Sequence, residues 1–443
     1  MRVLIQFRSS PALHKAAMAA KPALVAAASA QEGIPGLLVD AAYPPVQIPT
    51  PIALEAGTNP FSLNQPREFS LKPQDSTYLV RGSIPDAEVQ NAVALAVAQP
   101  NVAGVFADPV IESCLTCGST PPVGTAANVA TLLAVSKLAQ KKMDGHGVPL
   151  AIVDTGINVP YLQTQGRNPI LDVTRSWTPA GVATTPGNHP KNHGTMCAYD
   201  VGIVAPKATL LDYAVLLSQK QGATVMSGLL SDAVLAYSKL LKLLTAVPPG
   251  KRRLVVSNSW GMFSPGWDFP PGNPGNYSDN PAHPFNVIVA SLEHAGADIL
   301  FAAGNCGRDC PDGRCRFGTT RPICGANSHP AVLSVAGIDT KKKRVGYSSQ
   351  GPGRLSKHKP DISSYTHFKG SLVYPEDSGT SAACPVAAGV VAAVRSKYSV
   401  AQLTPSQLRA LIFKTAIDLG GTGYDYDNGW GAINPAALIA ALP

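Results

Sequence analysis

Five apolar runs recur between residues 149 and 337, spaced by stretches long enough to hold helices. They are "PLAIVDTG" (149–156), "ATLLDYAVL" (208–216), "RLVVSNSWG" (253–261), "ADILFAAGN" (297–305) and "AVLSVAG" (331–337). A strand that is apolar at nearly every position is buried on both faces, which calls for helices on both sides of a mainly parallel sheet. In such sheets binding groups collect on loops at the carboxyl ends of the strands. Asp154, Asn258 and Asn305 stand at three of those ends. One Asp or Asn after a strand is an ordinary turn former; the recurrence predicts a functional edge.

The first 113 residues follow another order. "RVLIQF" (2–7), an alanine-rich helical segment from Pro11 to Ala30 and "GLLVDAAY" (36–43) read as strand, helix, strand. A polar insertion (49–73) precedes "STYLVRGSI" (76–84), a helix opening at Pro85-Asp86, and "AGVFADPVIES" (103–113). This βαββαβ order is the ferredoxin-like α+β arrangement, with two helices on one face of an antiparallel sheet. Residues 114–126, rich in Cys, Gly, Ser and Pro, break the periodicity and read as a linker. The expected organisation is an α+β domain (1–113), a linker (114–126) and an α/β domain (127–443). A chain of 443 residues that is 45% hydrophobic can supply both cores.

The net charge of +8 is unevenly spread: residues 1–115 carry 7 Lys and Arg against 9 Asp and Glu, the remainder 29 against 19. An acidic module docking on a basic one fits that asymmetry. The cluster "KKKR" (341–344) has no interleaved aromatics, so nucleic acid is not an expected partner. No apolar run reaches bilayer-spanning length, and Gln6 and Arg8 interrupt the first one before it could serve as a secretory signal. The expectation is no membrane partner, and a cytoplasmic protein or one exported without a Sec signal.

The stretch "DSGTSAACPVAAG" (377–389) surrounds Ser381 with small residues. Gly379 permits a tight turn, the small side chains let a following helix be buried, and Pro385 is tolerated if it falls in the first turn. Read alone, this is equally a buried helix capped by a serine. A serine hydroxyl becomes a nucleophile only with a base in reach, and a histidine serves when a carboxylate fixes its tautomer. His193, in "NHGTMCAYD", and Asp154 supply those groups, while Asn305 and the Ser381 amide could donate to an oxyanion. Together they form a complete set for acyl transfer.

In these motifs the chain resembles the subtilisin-like serine peptidases, the subtilases, over about residues 127–441: "AIVDTGI", "HGT", "AAGN" and "GTSAACPVAAG", in the order Asp, His, Asn, Ser. The resemblance implies an Asp154–His193–Ser381 triad with Asn305 as oxyanion donor, acting on a peptide or protein substrate. It also implies that the N-terminal domain is a propeptide that blocks the cleft as an intramolecular inhibitor. "SNSWG" would pair with substrate as an added strand, with Ser257, Asn258, Ser259, Trp260, Gly261, Ala303 and Gly304 lining the subsites. Trp260 is alternatively a core aromatic. No cofactor or catalytic metal is needed for this chemistry; structural calcium is compatible with the resemblance, although no EF-hand-type loop occurs.

Three features depart from the family: Cys384-Pro385-Val386 after the serine, a long Pro/Gly-rich loop (262–284), and four cysteines directly after Asn305. Cys306, Cys310, Cys315 and Cys324 could form disulfides, hold zinc or stay reduced; the spacing lacks paired C-x2-C knuckles. A loop with so little apolar surface favours at least one cross-link within Cys306–Cys324. Cys197 and Cys384 read as small core residues. Two rival readings share these motifs: a peptide ligase or macrocyclase using the same acyl-enzyme, and an inactive scaffold with the N-terminal domain held in the cleft.

Overall fold

Strand β1 (Arg2–Arg8) buries Val3, Leu4, Ile5 and Phe7 between exposed arginines. It is followed by β2 (Leu38–Val39), β3 (Val46–Ile48), β4 (Thr50–Ala53), β5 (Arg67–Ser70), β6 (Thr77–Ser83) and β7 (Val102–Ala107). The antiparallel sheet runs β2–β6–β1–β7 with β3 also on β6, and β4–β5 form a separate hairpin. Helices Pro11–Met18 and Val89–Val97 close one face, packing Leu13, Ala17, Ala92 and Ala96 on Val3, Ile5, Phe7, Tyr78, Val80 and Val105. Ser10 caps the first helix by accepting from the Leu13 amide, with Pro11 in its first turn.

The computed structural model describes residues 1–19, 34, 36–65, 67–113, 115–117, 120–219 and 226–443. The first helix ends at Met18, and most of the expected continuation towards Ala30 lies outside the described residues. "GLLVDAAY" contributes only Leu38–Val39, because the chain turns at Asp40, whose carbonyl accepts from Tyr43. The polar insertion holds the paired strands β4 and β5. "AGVFADPVIES" is also split. Pro109 has no amide for a ladder, so β7 stops at Ala107 and β8 (Val110–Ser113) joins a different sheet.

By contact the chain divides into two compact units. The first comprises Met1–Val110, Leu229–Leu241 and Ser264–His294; the second comprises Ile111–Gly228, Lys242–Phe263 and Ala295–Pro443. Within the first, Tyr43 donates to the Ser231 carbonyl (2.7 Å), the Ala107 amide to the Gly275 carbonyl (2.9 Å), and Asp108 accepts from the Ser231 amide (2.7 Å).

The second unit contains β9 (Pro149–Val153), β10 (Ile170–Leu171), β11 (Thr209–Tyr213), the first two residues of β12 (Ser227–Leu229), β13 (Val255–Asn258), β14 (Trp260–Gly261), β15 (Asp298–Ala302), β16 (Leu333–Ile338) and β17 (Ile362–Tyr365). Seven form a sheet in the order β10–β11–β9–β13–β15–β16–β17, and β12, β8 and β14 form a smaller one. The pairings of the seven-stranded sheet are parallel. The α/β expectation therefore holds, and the five apolar runs supply β9, β11, β13, β15 and β16. Strand β17 escaped because buried Ser363 and Ser364 interrupt its apolar pattern.

Leu150, Ile152, Val255, Leu300 and Val335 join the core with helices His193–Val204 and Thr380–Arg395, which pack on one another. The second helix is anchored at its far end, where Arg395 makes a buried two-pronged pair with Asp298 (2.5 and 2.9 Å). Connectivity reverses at β9, which has β11 on one side and β13 on the other. Such a reversal opens a crevice at the strand ends, and Asp154 follows β9 immediately.

Candidate active site

Asp154 extends β9 by one ladder bond, its amide donating to the Tyr213 carbonyl (3.0 Å). Its buried carboxylate accepts from the Thr155 amide (2.7 Å) and lies 2.8 Å from His193 Nδ1. His193 opens its helix because Asn192 caps it, Asn192 Oδ1 accepting from the His193 amide (2.8 Å). Gly194 must be small: a Cβ there would lie 2.5 Å from the Gly156 carbonyl oxygen. The "DTG" and "HG" motifs are thus one packed corner, closed by the Gly194 amide donating to Thr155 Oγ1 (2.8 Å).

Gly379, at φ +79°, turns the chain into the helix that carries Ser381, and a Cβ there would sit 2.8 Å from Asn305 Nδ2. Ser381 is the second residue of that helix and fully buried. Pro385 therefore falls beyond the first turn, so the condition for its tolerance there is not met. A proline there deprives the carbonyl four residues back of its helical donor. That carbonyl is Ser381's own, and Ser259 Oγ donates to it instead (3.1 Å).

Cys197 ties the three motifs together. Its Sγ lies 3.8 Å from Asp154 Oδ2, 3.9 Å from His193 Nδ1 and 3.5 Å from the Ser381 carbonyl oxygen. Burial raises the Cys197 thiol well above its ordinary range and pushes Cys384 up to about 12, so both remain neutral thiols packed in the core. Among the described residues, His193 Nε2 is buried without a hydrogen-bond partner, while Ser381 Oγ makes only a long contact to the Ser259 carbonyl (3.5 Å). Asn305 Oδ1 accepts from the Thr380 amide (2.9 Å) and hydroxyl (3.0 Å), which fixes the orientation of its amide. Its Nδ2 donates to the Leu115 carbonyl (3.0 Å).

The residues expected to line subsites divide into two groups. Ser257 and Asn258 are turned into the core: Ser257 Oγ lies 3.8 Å from Cys384 Sγ on the helix that carries Ser381, and Asn258 Nδ2 donates to the Leu300 carbonyl (3.0 Å). The Trp260 side chain is fully buried edge-to-face on Phe301 (5.2 Å), so the core alternative describes it. Its backbone is in play, because Trp260 and Gly261 pair with Ser113 and Glu112. The Ala303 amide extends the ladder to the Val335 carbonyl (2.9 Å), and the Gly304 amide donates to Thr380 Oγ1 (3.0 Å).

Of the four clustered cysteines, Cys306 and Cys315 are disulfide-bonded, as a cross-link inside the loop requires. Cys310 is bonded outside the loop, to Cys117, whose Cα lies 5.6 Å away. Cys324 is buried, its Sγ 3.8 Å from the Met262 carbonyl oxygen. Sequence reasoning missed the placement of Glu112, Leu115 and Cys117 beside this loop. The one available signal was the "CLTC" pair lying just before the second domain.

Among the described residues, Asp154, His193 and Cys197 are the group of His, Cys and acidic side chains close enough to share a metal ion. One carboxylate, one ring nitrogen and one thiol do not suit calcium, which takes oxygen ligands. No helix among the described residues is long and apolar enough to cross a membrane.

The profile of the Subtilase family (Peptidase S8) matches residues 145–431. Fervidolysin from Fervidobacterium pennivorans is 25% identical over 334 residues, covering 70% of this chain and 43% of its own. Subtilisin DY from Bacillus licheniformis is 27% identical over 312 residues, covering 69% of this chain and 96% of its own. A calcium-dependent protease from Nostoc is 27% identical over 352 residues, 69% of this chain and 48% of its own. The chain thus spans less than half the length of the first and third of these relatives. The crystal structure of a lanthipeptide protease superposes with a TM-score of 0.53 over 73% of this chain and 100% of that one, at 17% identity, a likeness of fold. With the profile covering most of the second unit, and four motifs meeting at one strand-end crevice, this chain belongs to the subtilase family of serine peptidases.

Proposed function

We propose that this chain is a serine endopeptidase made as a zymogen, and that the first peptide bond it cuts is its own Leu115–Thr116. Ser381 Oγ attacks the Leu115 carbonyl carbon while His193 Nε2 takes the hydroxyl proton. Asp154 holds the Nδ1–H tautomer and stabilises the imidazolium. The oxyanion is stabilised by Asn305 Nδ2 and the Ser381 amide. His193 returns the proton to the departing Thr116 amine, and water then releases Leu115 from the acyl-enzyme by the same steps in reverse. Residues 1–113 then act as an intramolecular inhibitor.

The observation that carries this reading is the hydrogen bond from Asn305 Nδ2 to the Leu115 carbonyl, at the end of a tail that runs as an added strand on β14. That is the posture of a substrate. The long Ser381 contact fits a resting site, since catalytic hydrogen bonds tighten as the reaction proceeds. Incubation of the full chain followed by N-terminal sequencing tests it. A new N-terminus at Thr116 is expected from the parent chain, and an intact Ser381→Ala chain under the same conditions. Cleavage that persists in Ser381→Ala would remove the proposal.

A further inference from the structure

We infer that Arg314 makes this cleft selective for an acidic side chain three residues before the residue whose carbonyl is attacked. The inference rests on the endopeptidase reading and names the substrate class of that site. With Leu115 at the attacked position, the residue three places earlier is Glu112. Arg314 reads it directly: Nη1 donates to Glu112 Oε2 (2.6 Å) and Nη2 to the Ser113 carbonyl (2.7 Å). One guanidinium thus recognises a side chain and the neighbouring backbone together, which its fork of donors allows and an ammonium does not.

Arg314 is held for this task. The Cys306–Cys315 disulfide staples the loop one residue beyond it. The Asp312 amide donates to the Asn305 carbonyl (2.8 Å), and the Arg316 amide to the Phe263 carbonyl (3.0 Å). The guanidinium lies 4.7 Å over the Phe263 ring and pairs with Asp312 (2.7 Å). Asp312 Oδ2 in turn accepts from the Leu115 amide (3.1 Å). The loop therefore touches the tail at both ends of the four-residue stretch, through a side chain at Glu112 and through backbone at Leu115.

Charge favours an anion there. Residues 306–324 carry four arginines (Arg308, Arg314, Arg316, Arg321) against two aspartates (Asp309, Asp312). The Arg314 and Glu112 side chains are 23% and 17% exposed, so the pair is only partly screened by water. The remaining contacts of the tail with β14 are main-chain and carry little sequence information. Selectivity at this position falls to Arg314.

Two measurements test the inference. Peptides copying residues 110–120, with serine for each cysteine and Glu, Gln or Lys at the position of Glu112, are offered to the processed enzyme. The parent is expected to favour Glu over Gln by about tenfold in kcat/KM, the low end for a charge-assisted hydrogen bond. Lys should be poorer still, and in Arg314→Gln the Glu and Gln peptides should converge. A parent ratio near one, or a preference that survives Arg314→Gln, overturns it. The second measurement does not depend on turnover: hydrogen exchange of residues 111–117 in full-length Ser381→Ala, with Glu112→Gln, Arg314→Gln and both. Each single change should speed exchange, and the double no more than the larger single. Additive effects would overturn the contact. If no peptide is cleaved at all, the endopeptidase reading fails while the exchange cycle still decides the role of Arg314.

Discussion

In the first unit, the described part of residues 1–110 meets the helix that starts at Leu230 through charged side chains, whereas in the second unit residues 111–113 and 115 are held largely through backbone. Arg81 lies between Asp40 (2.7 Å) and Asp232 (3.0 Å), with its guanidinium 4.5 Å over the Tyr43 ring. Beside it, Asp108 accepts from the amide and hydroxyl of Ser231 (2.7 and 2.8 Å). Buried charges of this kind persist only when each has its partner, so few substitutions are tolerated. The tail instead uses ladder pairing on β14, the Asn305 amide and Asp312, which accept many sequences. Under the proposed reading, the segment that stays bound is served by particular side chains and the segment offered for cleavage by main chain, with specificity confined to one or two points.

The sharpest way to break this comparison is at the chemistry. Ser381→Ala should lower kcat on a peptide substrate by about 10⁶-fold, the scale the Ser-His-Asp set reaches in subtilisin, a member of the same family. A loss of only a few-fold would mean that the backbone-held tail is not a substrate. Asn305→Ala should lower kcat by about 10²–10³-fold with little change in KM, because its amide matters most once the oxyanion forms. Steady-state kinetics that showed a rise in KM alone would reassign Asn305 to ground-state binding.

Arg81→Ala probes the other side of the comparison. It strands Asp232 and Asp40 and should destabilise the first unit by about 3 kcal/mol, measured by urea unfolding. The corresponding change in the tail, Ser113→Ala, removes no backbone bond and should leave stability almost unchanged. A further test on the same side of the comparison concerns pH. Burial, reinforced by Asp232, pushes the Asp108 carboxyl up to about 7 from its ordinary 3.8, despite the opposing bonds from Ser231 and the nearby Arg81. The folded state therefore holds this proton more tightly than the unfolded chain. That contribution to stability is full below pH 4 and is lost as pH rises through 7. Thermal scans from pH 4 to 8 should show a falling component that Asp108→Asn abolishes; an identical slope in both proteins would place the charged form of Asp108 in the fold.

Much of the site was legible because its signals are local. The "DTG", "HGT", "AAGN" and "GTSAACP" stretches each encode a strand end or a helix start, and the packing of Gly194 and Gly379 explains why those positions are glycine. Strand alternation alone could not say that the Ser257, Asn258 and Trp260 side chains face inward while the backbone of Trp260 faces the tail. How Pro385 is accommodated was illegible for a related reason. Its tolerance depends on Ser259, a residue 122 positions from the carbonyl it satisfies.

The sequence by itself determined the parallel-sheet architecture, the ferredoxin-like order of the N-terminal strands and the four motifs of the candidate site, because periodicity and short motifs are written within a few consecutive residues. Only the tertiary structure decided that Leu115 meets Asn305, that Glu112 meets Arg314 and that Cys310 chooses Cys117 over its loop neighbours. These partners lie 190, 202 and 193 residues apart. Nothing in either local segment specifies the other. A hydrogen bond needs its atoms within about 3 Å and a disulfide its Cα atoms within about 7 Å, and the packed sheet and its loops bring them there.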